Sequence, residues 1–129
     1  MIVGVGLDVV ELERIAGIMA GPSKERFAAR ILTVQERSRW SALPARRALE
    51  FIAGRFAAKE AAAKALGCGI GRVVGFQDIE LLSDRQGKPH CTLSEAAVSR
   101  LQWTDKTFHI HVAISHERSL AAATAIIES

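Results

Sequence analysis

The sequence predicts an α+β fold: one domain with a mostly antiparallel sheet, a long helix and several shorter ones. Three observations carry this expectation. Runs of strand character, IVGVGLDVV and TFHIHVAIS, lie near the two ends of the chain. Between them, Arg46 to Leu66 reads as one uninterrupted helix with no internal proline and a single glycine, Gly54. Two further strand-like runs, FQDIELLSD and KPHCTLS, meet around Arg85-Gln86-Gly87, and strands joined by so short a turn pair antiparallel. The chain has 129 residues, the length of a single domain with one core.

Taken in order, IVGVGLDVV is the first strand, and its Gly4 and Gly6 allow another backbone to approach closely. Val9 breaks the G-x-G-x-x-G pattern, so this is not a dinucleotide fingerprint. ELERIAGIMA is helical up to Gly21-Pro22. SKERFAARIL follows, with Ser23 expected as N-cap and Arg26 and Arg30 on one face. TVQERSRWSAL is a third helix, with Thr33 and Glu36 at capping-box spacing. Gly67 stands where the long helix should stop, as a C′ residue. After the strand pair, SEAAVSRLQ is a short helix capped by Ser94. TFHIHVAIS alternates as a strand does. SLAAATAII is ambiguous, since alanine favours helix, but Thr124, Ile126 and Ile127 favour a closing strand.

Composition narrows the function classes. Hydrophobic residues make up 49% and charged residues 24%, an ordinary soluble globular balance. No apolar run approaches a membrane span, and MIVGVGLDVVELERI lacks the basic and apolar regions of an export signal. A cytoplasmic setting is therefore expected, and Cys68 and Cys91, without CxxC spacing, are expected as free thiols. The net charge of +3 is too weak to argue for nucleic acid, and low aromatic content argues against a base-stacking surface. Twelve of the 17 basic residues are arginines, which suit carboxylate and phosphate partners. An acidic protein or an anionic small molecule fits better.

KEAAAKALGCGIG, from Lys59 to Gly71, admits two readings. In the first, Glu60 and Lys64 are only an i,i+4 salt pair, worth roughly 0.2–0.5 kcal/mol. In the second, a carboxylate and an ammonium stand one turn apart beside a glycine-rich turn where phosphate can sit. Ile52, Phe56, Glu60 and Lys64 form one i+4 ridge whose first half is apolar, so its second half continues a packed edge. Asp8 favours the second reading. A carboxylate at a strand end and another on a helix suit an oxygen-liganded cation, and Mg²⁺ is held by one or two carboxylates with phosphate and water completing its shell. A turn-capping role for Asp8 is the alternative. Ser115-His116 ends another strand and suits phosphate oxygens or ordinary strand-end polarity. His109 and His111 share a strand face but have no third ligand at zinc spacing, and no G-x-S-x-G elbow supports a serine hydrolase.

Together these residues resemble a known family, the stand-alone holo-acyl-carrier-protein synthases of the 4′-phosphopantetheinyl transferases. The resemblance spans essentially the whole chain. IVGVGLDVVELERI is similar to the family's G-x-G-x-D-h-x-x-x-x-R-I opening, and FAARILTVQE to its F-x-x-R-h-h-T-x-x-E segment. GRFAAKEAAAKALGCGIG resembles its W/F-A-x-K-E-A-x-x-K-A-x-G-T-G signature, with Phe56 at the aromatic position and Cys68 where the family has Thr. FQDIELLSDRQGKP and ISHERSLAAATAIIE are similar to the remaining two motifs.

The resemblance implies transfer of the 4′-phosphopantetheine arm of coenzyme A to a serine of apo acyl carrier protein, in support of fatty acid biosynthesis. It implies that Asp8 and Glu60 hold Mg²⁺ and that Lys64 neutralises diphosphate charge. Gly67, Gly69 and Gly71 would let backbone approach coenzyme A. Gly87, Lys88 and Pro89 would border its nucleoside, and Ser115 and His116 its phosphates. Arg14, Arg26 and Arg30 would face the acidic carrier. Either Glu60 or a water at the cation would take the serine proton. A homotrimer with active sites between subunits is implied, without nucleic acid or membrane as partner. Two other functions stay open: another Mg²⁺-dependent enzyme cleaving coenzyme A or a nucleotide diphosphate, and a trimeric coenzyme A binding module without catalysis.

Overall fold

A computed structural model describes residues 1–129. Strand β1 (Ile2–Glu11) leads into helices α1 (Leu12–Met19), α2 (Lys24–Ile31) and α3 (Val34–Ser41), then the long helix α4 (Ala45–Ala65). A 3₁₀ turn at Phe76–Asp78 enters β2 (Ile79–Ser83), followed by β3 (Pro89–Leu93), α5 (Glu95–Arg100), β4 (His109–His116) and β5 (Leu120–Glu128). The sheet order is β1-β5-β4-β3-β2, and every pairing is antiparallel. SLAAATAII resolves as strand because β5 pairs on both sides, with β1 and with β4. Two-sided pairing satisfies backbone groups along the segment and outweighs the helix preference of its alanines.

Helix α4 lies across β1, β5 and β4. Its sheet-facing alanines, among them Ala57, Ala58, Ala61, Ala62 and Ala65, are buried and short enough for the backbones to close. Gly4 and Gly6 meet them: a Cβ on either would stand 1.9 Å from the carbonyl oxygen of Ala65 or Ala61. Only glycine fits there. The helix ends in a Schellman motif, with Gly67 N–H donating to Lys64 O and Cys68 N–H to Ala63 O. Gly67 has a φ of +86°, as its C′ role requires. Phe56, at the aromatic position of the ridge, stacks between Phe27 of α2 and Phe76.

The capping box at Thr33 and Glu36 and the Ser94 cap form as expected. Ser23 is a correction. Its φ/ψ of −87°/2° lies outside the extended region of an N-cap, and its side chain accepts no helix N–H.

In β1 the inward row toward α4 is Gly4, Gly6, Asp8 and Val10, while Val3, Val5, Leu7 and Val9 stand exposed on the other face. Across the register, Ile126, Thr124, Ala122, Ala113 and Ser115 continue that open face. One face of the sheet thus packs the core, and the other presents an apolar row to its surroundings. No helix of the chain is long and apolar enough to cross a membrane.

Candidate active site

Two clusters of chemistry-bearing side chains sit at opposite ends of α4. The first gathers Asp8, Glu60 and Lys64. Asp8 points inward from β1, because strand residues alternate and the glycines before it clear space for the helix. Lys64 Nζ donates to Asp8 Oδ1 at 3.0 Å and to Leu7 O at 3.1 Å. The simple i,i+4 reading is therefore overturned: the lysine reaches the strand carboxylate, and its only ion-pair partner is Asp8. Glu60 stays half-buried without an ion-pair partner. Burial first, and then the nearby Asp8 carboxylate, push Glu60 above the ordinary carboxylate range, while Lys64 pulls the other way.

The donor set fits a hard divalent cation. The Asp8 charge raises the cost of ionising Glu60, and a cation beside the two carboxylates relieves it. No group of three or more His, Cys, Asp or Glu side chains is placed to hold a metal by itself. A cation here would take its remaining oxygens from water or from a ligand's phosphates. Gly67 and Gly69 follow Lys64 in the turn that closes on Ala63 O and Lys64 O, with no side chains on the glycines to screen an approaching anion.

The second cluster is a cleft of about 520 Å³ at the other end of α4. Arg39, Arg47 and Arg55 line it together with Glu50, Phe51, Gly87, Pro89 and His116. Arg55 is nearly buried, packed over the Phe51 ring at 4.0 Å, and its Nε has no partner. Arg39, Arg47 and Arg55 bring three guanidinium groups to one cleft, the residue type that suits carboxylate and phosphate partners. His116 Nδ1 lies 3.4 Å from Glu50 Oε2, which also contacts Arg46 Nε at 3.3 Å.

Of the residues expected at the phosphate and nucleoside end, Gly87, Pro89 and His116 come together here. Lys88 is exposed on the adjoining turn and does not line the cleft. Ser115 points to the opposite, open face of β4, since neighbours on a strand alternate. Arg14, Arg26 and Arg30 are exposed on α1 and α2, and none has a carboxylate partner. The sequence reading missed Arg39, Arg47, Glu50, Phe51 and Arg55. Arg47, Phe51 and Arg55 were legible as an i+4 row beside the Ile52 ridge. The contribution of Arg39 from α3 was not.

The chain is similar to known proteins along almost its whole length. The sequence model of the 4′-phosphopantetheinyl transferase superfamily matches residues 4–125. A holo-[acyl-carrier-protein] synthase of Bacillus subtilis is 52% identical over 131 aligned positions, covering 99% of this chain and 97% of that protein. The crystal structure of a Bacillus anthracis holo-(acyl-carrier-protein) synthase in complex with CoA (3′,5′-ADP) superposes with a TM-score of 0.84 at 42% identity, covering 100% of this chain and 98% of the other. The Neisseria meningitidis synthase superposes at 0.88 with 33% identity and full coverage of both chains. This chain belongs to the 4′-phosphopantetheinyl transferase superfamily. Within it, the chain falls among the holo-acyl-carrier-protein synthases, with which it aligns from end to end.

Proposed function

We propose that the chain transfers the 4′-phosphopantetheine arm of coenzyme A to a serine of apo acyl carrier protein. The serine oxygen forms a bond to the β-phosphorus of the diphosphate, the bond to the bridging oxygen breaks, and the hydroxyl proton passes to Glu60 or to a water beside it. Adenosine 3′,5′-bisphosphate departs. The observation that carries this reading is the Asp8–Glu60–Lys64 cluster together with an arginine-lined cleft. Phosphoryl transfer asks chiefly for positioning and charge neutralisation.

Asp8 and Glu60 hold the cation, taken as Mg²⁺, which supplies charge neutralisation at the diphosphate. Lys64, already donating to Asp8, supplies a second positive charge where negative charge grows. Gly67 and Gly69 leave the backbone open to the pantetheine side. Arg39, Arg47, Arg55 and His116 receive the phosphates of the nucleotide, with Gly87 and Pro89, and Lys88 at the rim, beside its nucleoside. Arg14, Arg26 and Arg30 meet the acidic carrier, which chiefly raises association rate.

The site is shared between subunits of a homotrimer. Glu50 and Glu60 are ten residues apart on α4 and so about 15 Å apart, and the cleft row of Arg47, Phe51 and Arg55 faces about 100° away from the Glu60 ridge. One diphosphate fits both clusters more readily when they come from neighbouring chains. The apolar row of Val3, Val5, Leu7 and Val9 offers the surface for such a neighbour, and Ser115 on the same face would lie at that seam. The setting is cytoplasmic and the pathway fatty acid biosynthesis.

The test mixes the protein, Mg²⁺, coenzyme A and an apo carrier, and reads the carrier's mass. A gain of one phosphopantetheine is expected, abolished by chelator and by Asp8→Ala or Glu60→Ala. The two losses should be strongly non-additive, since the carboxylates act as a unit. Coenzyme A cleavage without a carrier acceptor would refute the reading. Refolding Glu60→Ala with His116→Ala chains should restore some activity in mixed trimers. Confirmed mixed trimers with none would refute the shared site. Arg26→Glu with Arg30→Glu should weaken carrier association and leave coenzyme A binding near normal.

A further inference from the structure

Lys59, the neighbour of Glu60 in sequence, is fully buried, and so is the carboxylate it meets, Glu36. Lys59 Nζ donates to Glu36 Oε1 at 2.6 Å, to Ile31 O at 2.7 Å and to Phe76 O at 3.1 Å, which uses all three ammonium hydrogens. Glu36 also accepts from Thr33 N and, through Oε2, from Leu81 N, each at 2.7 Å. One charge pair thus joins the end of α2, the start of α3, the 3₁₀ turn and β2 to a single point on α4.

The need for such a point follows from the helix's composition. A face of alanines is smooth. It has no large knobs to fit into holes, so the helix's rotation is set from its other sides, by Phe56 between Phe27 and Phe76 and by the buried pair. Gly4 and Gly6 let the helix close on β1, but they bring only its backbone near. A charged pair with every hydrogen bond met tolerates no slip, because a slip strands buried charge. Consecutive helical residues stand about 100° apart on a rigid backbone. Any turn of α4 that separates Lys59 from its acceptors therefore carries Glu60 away from Asp8.

We propose that Lys59 and Glu36 are positioning residues, which lock the rotation of α4 so that Glu60 converges with Asp8 on the cation. This rests on the reading of Asp8 and Glu60 as the cation's ligands. The same lock fixes α2 beside Arg30, because Ile31 O is one of the acceptors. The nucleotide cleft lies toward the start of the helix; its Arg55, one turn before Lys59, bonds Leu81 O at 3.4 Å and Ser83 Oγ at 3.2 Å, so the cleft touches the pair only through Leu81 and the Glu36 charge.

The test replaces the pair by apolar residues of similar size, Lys59→Met with Glu36→Leu, in the full-length protein. Replacing a buried pair as a unit costs less than removing one partner, but here it also leaves Ile31 O, Phe76 O, Thr33 N and Leu81 N without their partners, so folding is measured first. Three readouts follow: circular dichroism with thermal melting, Mn²⁺ affinity by electron paramagnetic resonance, and steady-state kinetics. The expected result is a folded protein with Mn²⁺ affinity and kcat each reduced by about tenfold to a hundredfold. KM for coenzyme A should stay within about threefold of the parent. Glu36→Gln keeps the shape but leaves the Lys59 charge unpaired and sets an NH₂ against a donor, and it should show the same split in the protein that folds.

Unchanged Mn²⁺ affinity and kcat in a folded variant would overturn the proposal. So would an equal rise in KM for coenzyme A, which signals general loosening. If neither variant folds, the pair serves the fold as a whole and the proposal also falls. A parent protein whose Mn²⁺ affinity is untouched by Asp8→Ala would refute the cation site itself, a failure distinct from the others.

Discussion

Helix α4 carries two lysine–carboxylate pairs five residues apart, and they differ in almost every physical respect. Lys59 and Glu36 meet at 2.6 Å with both side chains fully buried. Lys64 and Asp8 meet at 3.0 Å with side chains 50% and 17% exposed. In the first pair Lys59 has used all three of its hydrogens and both Glu36 oxygens are partnered. Burial lowers the proton affinity of Lys59, and the charge and hydrogen bond of Glu36 oppose that fall. The second pair keeps water on the lysine, so its partners can be exchanged for a phosphate at little cost. Identical chemistry on one helix is sealed from solvent in one place and open to it in the other, and that difference sets what each pair can exchange.

The sharpest way to break this comparison is to truncate each lysine alike. Lys59→Met alone should cost about 3–5 kcal/mol, because it leaves Glu36 buried and unpaired. Denaturant melts should show it as a large fall in midpoint or as failure to fold. Lys64→Met should cost less than about 1 kcal/mol of stability. A large loss of stability there would mean the two pairs are alike after all.

In activity the order reverses. Among proteins that fold, Lys64→Met should reduce transfer about a hundredfold, near 2.7 kcal/mol in the barrier. The carrier mass assay measures it. Carrier KM and Mn²⁺ affinity should move little.

A smaller effect is expected at the far end of the helix. Arg47→Ala should raise KM for coenzyme A about tenfold, or 1.4 kcal/mol. The rise should shrink for coenzyme A lacking its 3′-phosphate if this guanidinium meets that group. An unchanged KM would remove Arg47 from the nucleotide site.

The smallest effect concerns Glu60 in metal-free protein. Its carboxyl binds a proton more tightly in the folded state than in the unfolded chain, through burial and the Asp8 charge. Its contribution therefore favours folding at low pH and is lost as pH rises from the ordinary carboxylate value through the raised one. Glu60→Gln removes that penalty. A gain on the order of 0.5 kcal/mol is expected above this window and none below it. A pH-independent difference between the two melts would refute the cause.

Much of this arrangement was legible in the residues. Gly4 and Gly6 marked a close backbone approach, and α4 supplies it. Gly67 marked the helix end, and Thr33 with Glu36 marked a cap. Local rules decide such features, because their partners lie within a few residues. Ser23 failed the same rule: the turn after Gly21-Pro22 holds it outside cap geometry. The Lys59 hub was not legible. Its acceptors, Ile31, Glu36 and Phe76, are up to 28 residues away in sequence. Glu36 was recognised as half of a capping box, and nothing local showed that the same carboxylate would also receive a lysine.

The family resemblance singled out Asp8, Glu60 and Lys64; taken alone, the sequence pointed to most of the elements and to an α+β fold. These depend on periodicity, on turn chemistry and on side chains whose identity already limits their use. Tertiary structure alone decided which partner each charge has. Lys64 turns to Asp8 because β1 lies against α4 at glycine distance. Val3, Val5, Leu7 and Val9 face outward because the strand's other row, with Gly4 and Gly6, is the one that lets the helix in. His116 enters the arginine cleft while Ser115 leaves it, since the pleat of β4 sends neighbours to opposite faces. Long-range packing sets these choices, and a one-residue shift in any of them would exchange the buried row for the exposed one.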